Sequence, residues 1–244
     1  CCPPTVYLAA FAGRPGVQDR VAQVRYTVGN VSYALEDDYF PNIANTTNEK
    51  SALPVATVRY EGSMDGGLSL VAAGLLRQLS VDDGANVDET AVGIGAFAGA
   101  SIDLGDGVSV QGNVNFSDGA NSYLYRSGLD FGGPDAYLDG DDLETVSGYG
   151  VSLGASFPVG MGQINVSYGL TMLDLDDMKD DLALSDAALN ALSNETNSNA
   201  FVNYQWSPLE SVSMGVEYGY FKAERENGDT SDTSRLIYSA TFSF

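Results

Sequence analysis

Apolar and polar residues alternate along most of this chain with a period of two, the spacing of a β-strand with one face apolar and the other polar. In 92–104, Val92, Ile94, Ala96, Ala98, Ala100, Ile102 and Leu104 share one face. Gly93, Gly95, Gly99, Ser101 and Asp103 share the other, where Phe97 is the large apolar exception. Residues 149–157 set Tyr149, Val151, Leu153, Ala155 and Phe157 against Gly150, Ser152, Gly154 and Ser156. The same alternation runs through 108–117, 163–172, 199–206, 212–220 and 235–244.

Soluble sandwiches alternate too, so the quality of the pattern decides. The alternating runs reach about ten residues, whereas soluble strands are commonly about five to six. The polar face is Gly, Ser, Asn and Gln rather than the charged mix of a solvated sheet. Tyr, Trp and Phe stand on the apolar face near strand ends, as in the aromatic girdles of membrane barrels. Connections also alternate in length. Short turns are expected near 28–31, 63–67, 104–107, 157–162 and 207–210. Long loops are expected near 38–53, 80–90, 118–143, 174–198 and 222–233. This predicts an all-β, antiparallel transmembrane barrel of about twelve visible strands, with short periplasmic turns and long acidic extracellular loops. The first strand is expected near 5–12. The 174–198 loop is expected to carry a short helix capped by Ser185 or Asp186. The terminal YSATFSF ends in Phe244, which fits both a girdle residue and an outer-membrane insertion signal.

Composition narrows the chemistry. The chain has 244 residues, with 33 Asp and Glu against 11 Lys and Arg, for a formal net charge of −22. Such an acidic surface does not suit a phosphate backbone, so no nucleic-acid partner is expected. There is no histidine, which excludes Ser-His-Asp and Cys-His catalysis and His-ligated metals. No Asp/Glu pair sits on an expected lumen wall with supporting groups, so no enzymatic activity and no cofactor are expected. Cys1 and Cys2 are the only cysteines, and a lipidated start and a fragment edge both remain open for them. No signal peptide or initiating Met is visible, so a mature form or a fragment is expected. No apolar run is long enough for a spanning helix, a limit that does not touch strands.

Several segments resemble the DcaP-like porins. They are VAQVRYTVGNVSYALEDD (21–38), LPVATVRYEGSMDGGLSLVAAGLLRQLS (53–80), GYGVSLGASFPVG (148–160) and 203–244, with the WSP turn, the GVEYGY strand and the last strand carrying most of the likeness. The resemblance covers most of 15–244. It implies a homotrimeric channel in the outer membrane of a Gram-negative bacterium, passing small hydrophilic solutes, with anions such as dicarboxylates as the associated type. Family members resemble barrels of about sixteen strands, often with an N-terminal helical segment. Residues 1–244 are therefore read as a single barrel domain that either lacks N-terminal strands or closes as a smaller barrel, with the first favoured.

Strand parity then places candidate residues. Arg25, Arg59, Arg77 and Arg235 are expected on lumen faces, together with Glu36 and Glu217. A turn at Gly29-Asn30 sets Val28 opposite Val31 and Arg25 opposite Ala34, diagonal to Glu36. The arginines form either a positive track for anions or wall-bracing pairs with Glu36, Glu61 and Glu217. The 118–143 loop, with Tyr123, Tyr125, Arg126, Phe131 and Tyr137, is a candidate constriction, a trimer contact or surface cover. Acidic clusters at Asp82-Asp83, at Asp139 with Asp141-Asp142, and at 174–181 read as solvated loops or weak divalent-cation sites, Ca²⁺ or a bridge to lipopolysaccharide. A non-conducting structural or adhesive surface protein is the alternative function.

Overall fold

The computed structural model describes residues 21–38, 41–50, 53–129 and 133–244. The strand expected at 5–12 and Phe131 lie outside these residues. The strands are β1 (Gln23–Val28), β2 (Val31–Glu36), β3 (Ile43–Ala44), β4 (Glu49–Lys50), β5 (Val55–Met64), β6 (Leu68–Asp82), β7 (Asp88–Gly105) and β8 (Val108–Asp118). They continue as β9 (Ala136–Asp139), β10 (Asp142–Thr145), β11 (Ser147–Val159), β12 (Gly162–Leu173), β13 (Thr196–Leu209), β14 (Val212–Glu224) and β15 (Thr230–Phe242). Two short helices, α1 (Asp176–Asp181) and α2 (Asp186–Leu192), sit between β12 and β13. Ser185 caps α2, its side chain accepting from the Ala188 N–H.

The long strands join one 12-stranded antiparallel sheet in the order β1-β2-β5-β6-β7-β8-β11-β12-β13-β14-β15, with β4 paired to β6. Every step between long strands is a hairpin-type neighbour, so each strand's backbone groups meet the next strand in sequence. The register agrees with the turn argument: Val28 opposes Val31 and Arg25 opposes Ala34. Asp106 and Gly107 both have positive φ, at 52° and 76°. That is the backbone of a tight type I′ hairpin, for which Asp-Gly is a preferred pair.

Strand ends differ from the sequence expectation. β6 and β7 pair out to Asp82 and Asp88, so the long loop expected at 80–90 shrinks to 83–87. The Asp83 carboxylate closes this turn by accepting from the N–H groups of Ala85, Asn86 and Val87. Likewise β14 and β15 pair to Glu224 and Thr230, leaving 225–229 where a longer loop was expected. The WSP segment belongs to β13, with an irregularity between Trp206 and Leu209. Connections at one end of the sheet stay short throughout. The other end carries the large excursions 37–54, 119–146 and 174–195, which hold the small sheet β10-β9-β3 and both helices.

The two faces are inverted relative to a water-soluble protein. On β11, Tyr149, Val151 and Leu153 are 51%, 41% and 57% exposed, while Ser152 and Ser156 between and beyond them are 3% and 4% exposed. Elsewhere Asn113, Asn165, Asn199 and Asn203 are buried, while Val114, Tyr168, Val202 and Leu236 are exposed. A continuous apolar exterior of this kind is unfavourable against water. It is the matched surface for hydrocarbon, where paired backbone is the governing requirement. Conventional apolar packing occurs at the long-loop end, where Leu124, Tyr137, Val146, Leu173, Leu175, Met178 and Leu189 form a core beneath the helices. Among the described residues, no helix is long and apolar enough to cross a membrane, which says nothing of strands.

This inversion has a depth-dependent consequence. Leu153→Arg, in the middle of an outward face, should cost about 2–4 kcal/mol on refolding into lipid bilayers, and Leu209→Arg beside a turn about 0–1 kcal/mol. Denaturant titration of the two variants in vesicles checks the difference; equal costs would contradict it.

Candidate functional site

The inner face has two chemically different regions. Across β8 to β14 it is a wall of amides and hydroxyls. Asn115 donates to Asn113, which donates to Ser152. Asn165 donates to Asn203 (2.7 Å), and Asn203 donates to Glu217 (3.1 Å). Asn113, Asn165 and Asn203 thus spend hydrogen-bonding capacity on a neighbouring strand, which ties the wall laterally. Glu217 is buried within this array.

The second region runs from β1 to β7 and carries charge. Arg25 projects from β1 and is exposed, and it makes no ion pair with Glu36. Glu36 instead accepts from the Thr57 hydroxyl at 3.2 Å. Arg59 pairs with Glu61 two residues along its own strand at 2.7 Å and lies 5.5 Å from the Phe97 ring centre. Both partners of that pair are partly exposed, so it contributes at most about 1 kcal/mol. Gln23, Glu36, Arg59, Phe97, Asn115 and Tyr123 border an open cavity of about 530 Å³.

Arg77 has a different environment. Its side chain is fully buried, with Nη2 2.7 Å from Asp38 and Nη1 3.1 Å from Asp135. Nη1 also donates to the Ser122 hydroxyl at 2.8 Å, and the guanidinium lies 5.8 Å from the Tyr123 ring centre. Asp135 is itself held by the N–H groups of Asn42 (2.9 Å) and Ser122 (2.8 Å). Arg77 therefore ties two loop excursions to the inner face of β6. Its sequence neighbours do not announce this, because Asp38 and Asp135 come from distant segments.

Residues 119–129 lie against the inner face beside that tie. Asn121 accepts from Ser117 and donates to the carbonyls of Pro134 and Val146. Farther along, Thr171 on β12 donates to the Tyr125 carbonyl, and Asn197 on β13 donates to that of Gly128. Arg126 then reaches Phe221 of β14, 5.2 Å from the ring centre, and Arg235 of β15 lies 5.3 Å from the same ring. Phe201 meets Phe221 edge-on. The 119–129 segment thus runs along the inner face from β6 to β14. Tyr123, Tyr125 and Arg126 belong to it, whereas Tyr137 sits in the apolar core with its hydroxyl donated to Asp181 at 2.6 Å.

Of the candidate cation ligands, Asp82 and Asp83 are engaged within the protein. Asp82 pairs with Lys50 at 2.8 Å and accepts from the Gly84 N–H, and Asp83 is used by its own turn. Asp139, Asp141 and Asp142 flank the Gly140 turn between β9 and β10. Among the described residues, no group of three or more His, Cys, Asp or Glu side chains is placed to hold a metal ion.

Solved structures share this architecture. The outer membrane channel DcaP of Acinetobacter baumannii superimposes with a TM-score of 0.82 at 23% identity, over 99% of this chain and 67% of that one. An anion-selective porin from Comamonas acidovorans matches with a TM-score of 0.52 at 12% identity, over 95% of this chain and 64% of that one. At such identities the likeness is one of fold: a large antiparallel sheet of the kind that builds porin barrels. This chain spans about two thirds of the length of each. No protein-family description matches the sequence, and no curated protein matches it.

The Arg77 cluster has one cation for two carboxylates. Burial raises the Asp38 carboxyl above the ordinary carboxylate range, more than Arg77 pulls it down. Its Oδ2 has no hydrogen-bond partner among the described residues. A raised folded-state value means the folded chain binds the proton more tightly. The stabilisation is then complete below the unfolded carboxylate value and is lost as pH rises through the folded one. Wild type should lose stability relative to Asp38→Asn as pH rises from acid toward neutral. Thermal unfolding midpoints of the two proteins across pH check this; a pH-independent difference would contradict it.

Proposed function

We propose that this chain forms the wall of a channel in the outer membrane of a Gram-negative bacterium, through which small hydrophilic solutes diffuse down their gradients. The observation that carries this reading is the inverted sheet, apolar and exposed outside, amide- and hydroxyl-lined inside. In hydrocarbon an unpaired strand edge leaves backbone groups unsatisfied, so the functional channel has both β1 and β15 paired in a closed barrel. The large excursions, rich in acids, then lie on the extracellular side toward lipopolysaccharide, and the short turns lie in the periplasm. The proposed assembly is a homotrimer.

Fixed charge along the inner face supports a preference for anions. Arg25, Arg59, Arg126 and Arg235 line the way from β1 around to β15; Arg59 is paired with Glu61, and Arg77 has its charge met by Asp38 and Asp135. Solutes pass aromatic and aliphatic groups beside these cations at Phe97 and Phe221. Small organic anions, dicarboxylates among them, combine the charge and body that this lining accommodates. Acids at the mouth lower the local anion concentration, and cations inside compensate over a Debye length of about 8 Å.

A second reading has one observation behind it: residues 119–129 lie across the inner face, as a plug would in a non-conducting surface protein. Electrical recording separates the two. The purified protein in planar bilayers should give discrete conductance steps, with a reversal potential under a salt gradient that reports anion preference. Arg25→Gln with Arg59→Gln should shift that potential toward cation permeation. A folded, inserted protein with no conductance would exclude the channel.

A further inference from the structure

The inward segment is fastened at both ends, with a strained residue between the fastenings. At its start, Asn121 and Ser122 are held by Ser117, Asp135 and Arg77. At its far end, the Tyr125 and Gly128 carbonyls are held by Thr171 and Asn197. Arg126 lies between with φ of 61°, a left-handed conformation that costs a non-glycine residue about 1 kcal/mol or more. Its guanidinium shares the Phe221 ring with that of Arg235, so two like charges are brought together. Neither the strain nor the repulsion would persist in a free loop.

We propose that Asp135 is a positioning residue for anion selectivity: its carboxylate holds the 121–127 turn so that Arg126 stands beside Arg235 over Phe221 in the solute's path. This rests on the channel reading above and deepens it. The chemistry of the anchor is specific. Asp135 Oδ1 accepts from the Ser122 N–H, and Oδ2 accepts from the Asn42 N–H and meets Arg77 Nη1 at 3.1 Å. All three partners are donors. An amide in its place supplies one acceptor oxygen and turns an NH₂ group, a donor only, toward the remaining N–H. The Ser122 end of the turn then loses an anchor, and Arg126 shifts against Phe221 although Thr171 and Asn197 still hold Tyr125 and Gly128.

The sign of the effect separates positioning from plain electrostatics. Removing a negative charge from near a pore ordinarily favours anions. Positioning requires the opposite: Asp135→Asn lowers anion selectivity although it removes an acid.

Reversal potentials under a potassium chloride gradient test this in wild type, D135N, N121A, R126Q and the R126Q/D135N double variant, with folding checked by circular dichroism. D135N should lose as much anion preference as R126Q, and the double variant should lose no more. N121A, which changes no charge but cuts the same turn from Pro134 and Val146, should lose it too. D135N more anion-selective than wild type, or N121A unchanged, overturns the proposal. Where D135N does not fold, the comparison of N121A with R126Q decides. Wild type without anion preference overturns the underlying functional reading instead, a result distinct from wild-type preference that D135N leaves intact.

Discussion

The long strands of this protein set an apolar exposed face against a polar buried one, and that sorting shapes the rest of it. An outward residue has no polar neighbour, so it must be apolar. Inward residues from β8 to β14 are mostly small or polar and hydrogen-bonded to one another, with Phe201 and Phe221 as apolar exceptions. The backbone is satisfied within the sheet itself, which frees the side chains to be sorted by face. The Asn165–Asn203–Glu217 array and the exposed row of Tyr149, Val151 and Leu153 are two results of one sorting.

The sheet supplies a wall but does not by itself supply selectivity. Fine structure on the inner face comes from the long connections, and these need an anchor. Arg77 provides it by joining Asp38, Asp135 and Ser122. A buried ion cluster recovers its desolvation cost only when its remaining hydrogen bonds are well made. Asp135 meets that condition with its two N–H donors, whereas Asp38 keeps one oxygen without a hydrogen-bond partner among the described residues. The cluster therefore contributes geometry more than raw stability. Through Ser122 it joins a point on β6 to the segment whose Arg126 meets Phe221 on β14.

Periodicity made the sheet legible, because face assignment depends only on residue parity. The Val28–Val31 turn even gave the register of Arg25 against Ala34. Strand ends were less legible: 80–90 and 222–233 are polar enough to read as loops, yet β-pairing continues through most of each, since pairing needs backbone and not apolar side chains. The candidate residues on single strands, Arg25 and Arg59, could be assigned a face. The partners of Arg77 could not be found, because Asp38 and Asp135 come from separate loops whose path follows no period. Nothing in the sequence singles out Phe221, and only the inward course of 119–129 brings Arg126 to it.

The account stands or falls on which solvent each face meets. Nitroxide labels placed one at a time from Tyr149 to Phe157 of β11, in protein reconstituted into lipid vesicles, measure this directly through collision with oxygen and with a water-soluble paramagnetic complex. The account predicts a period-two alternation, with labels at Tyr149, Val151, Leu153 and Phe157 favouring oxygen and those at Gly150, Ser152, Gly154 and Ser156 favouring the aqueous reagent. Equal aqueous access on both faces, or alternation of the opposite phase, would contradict it.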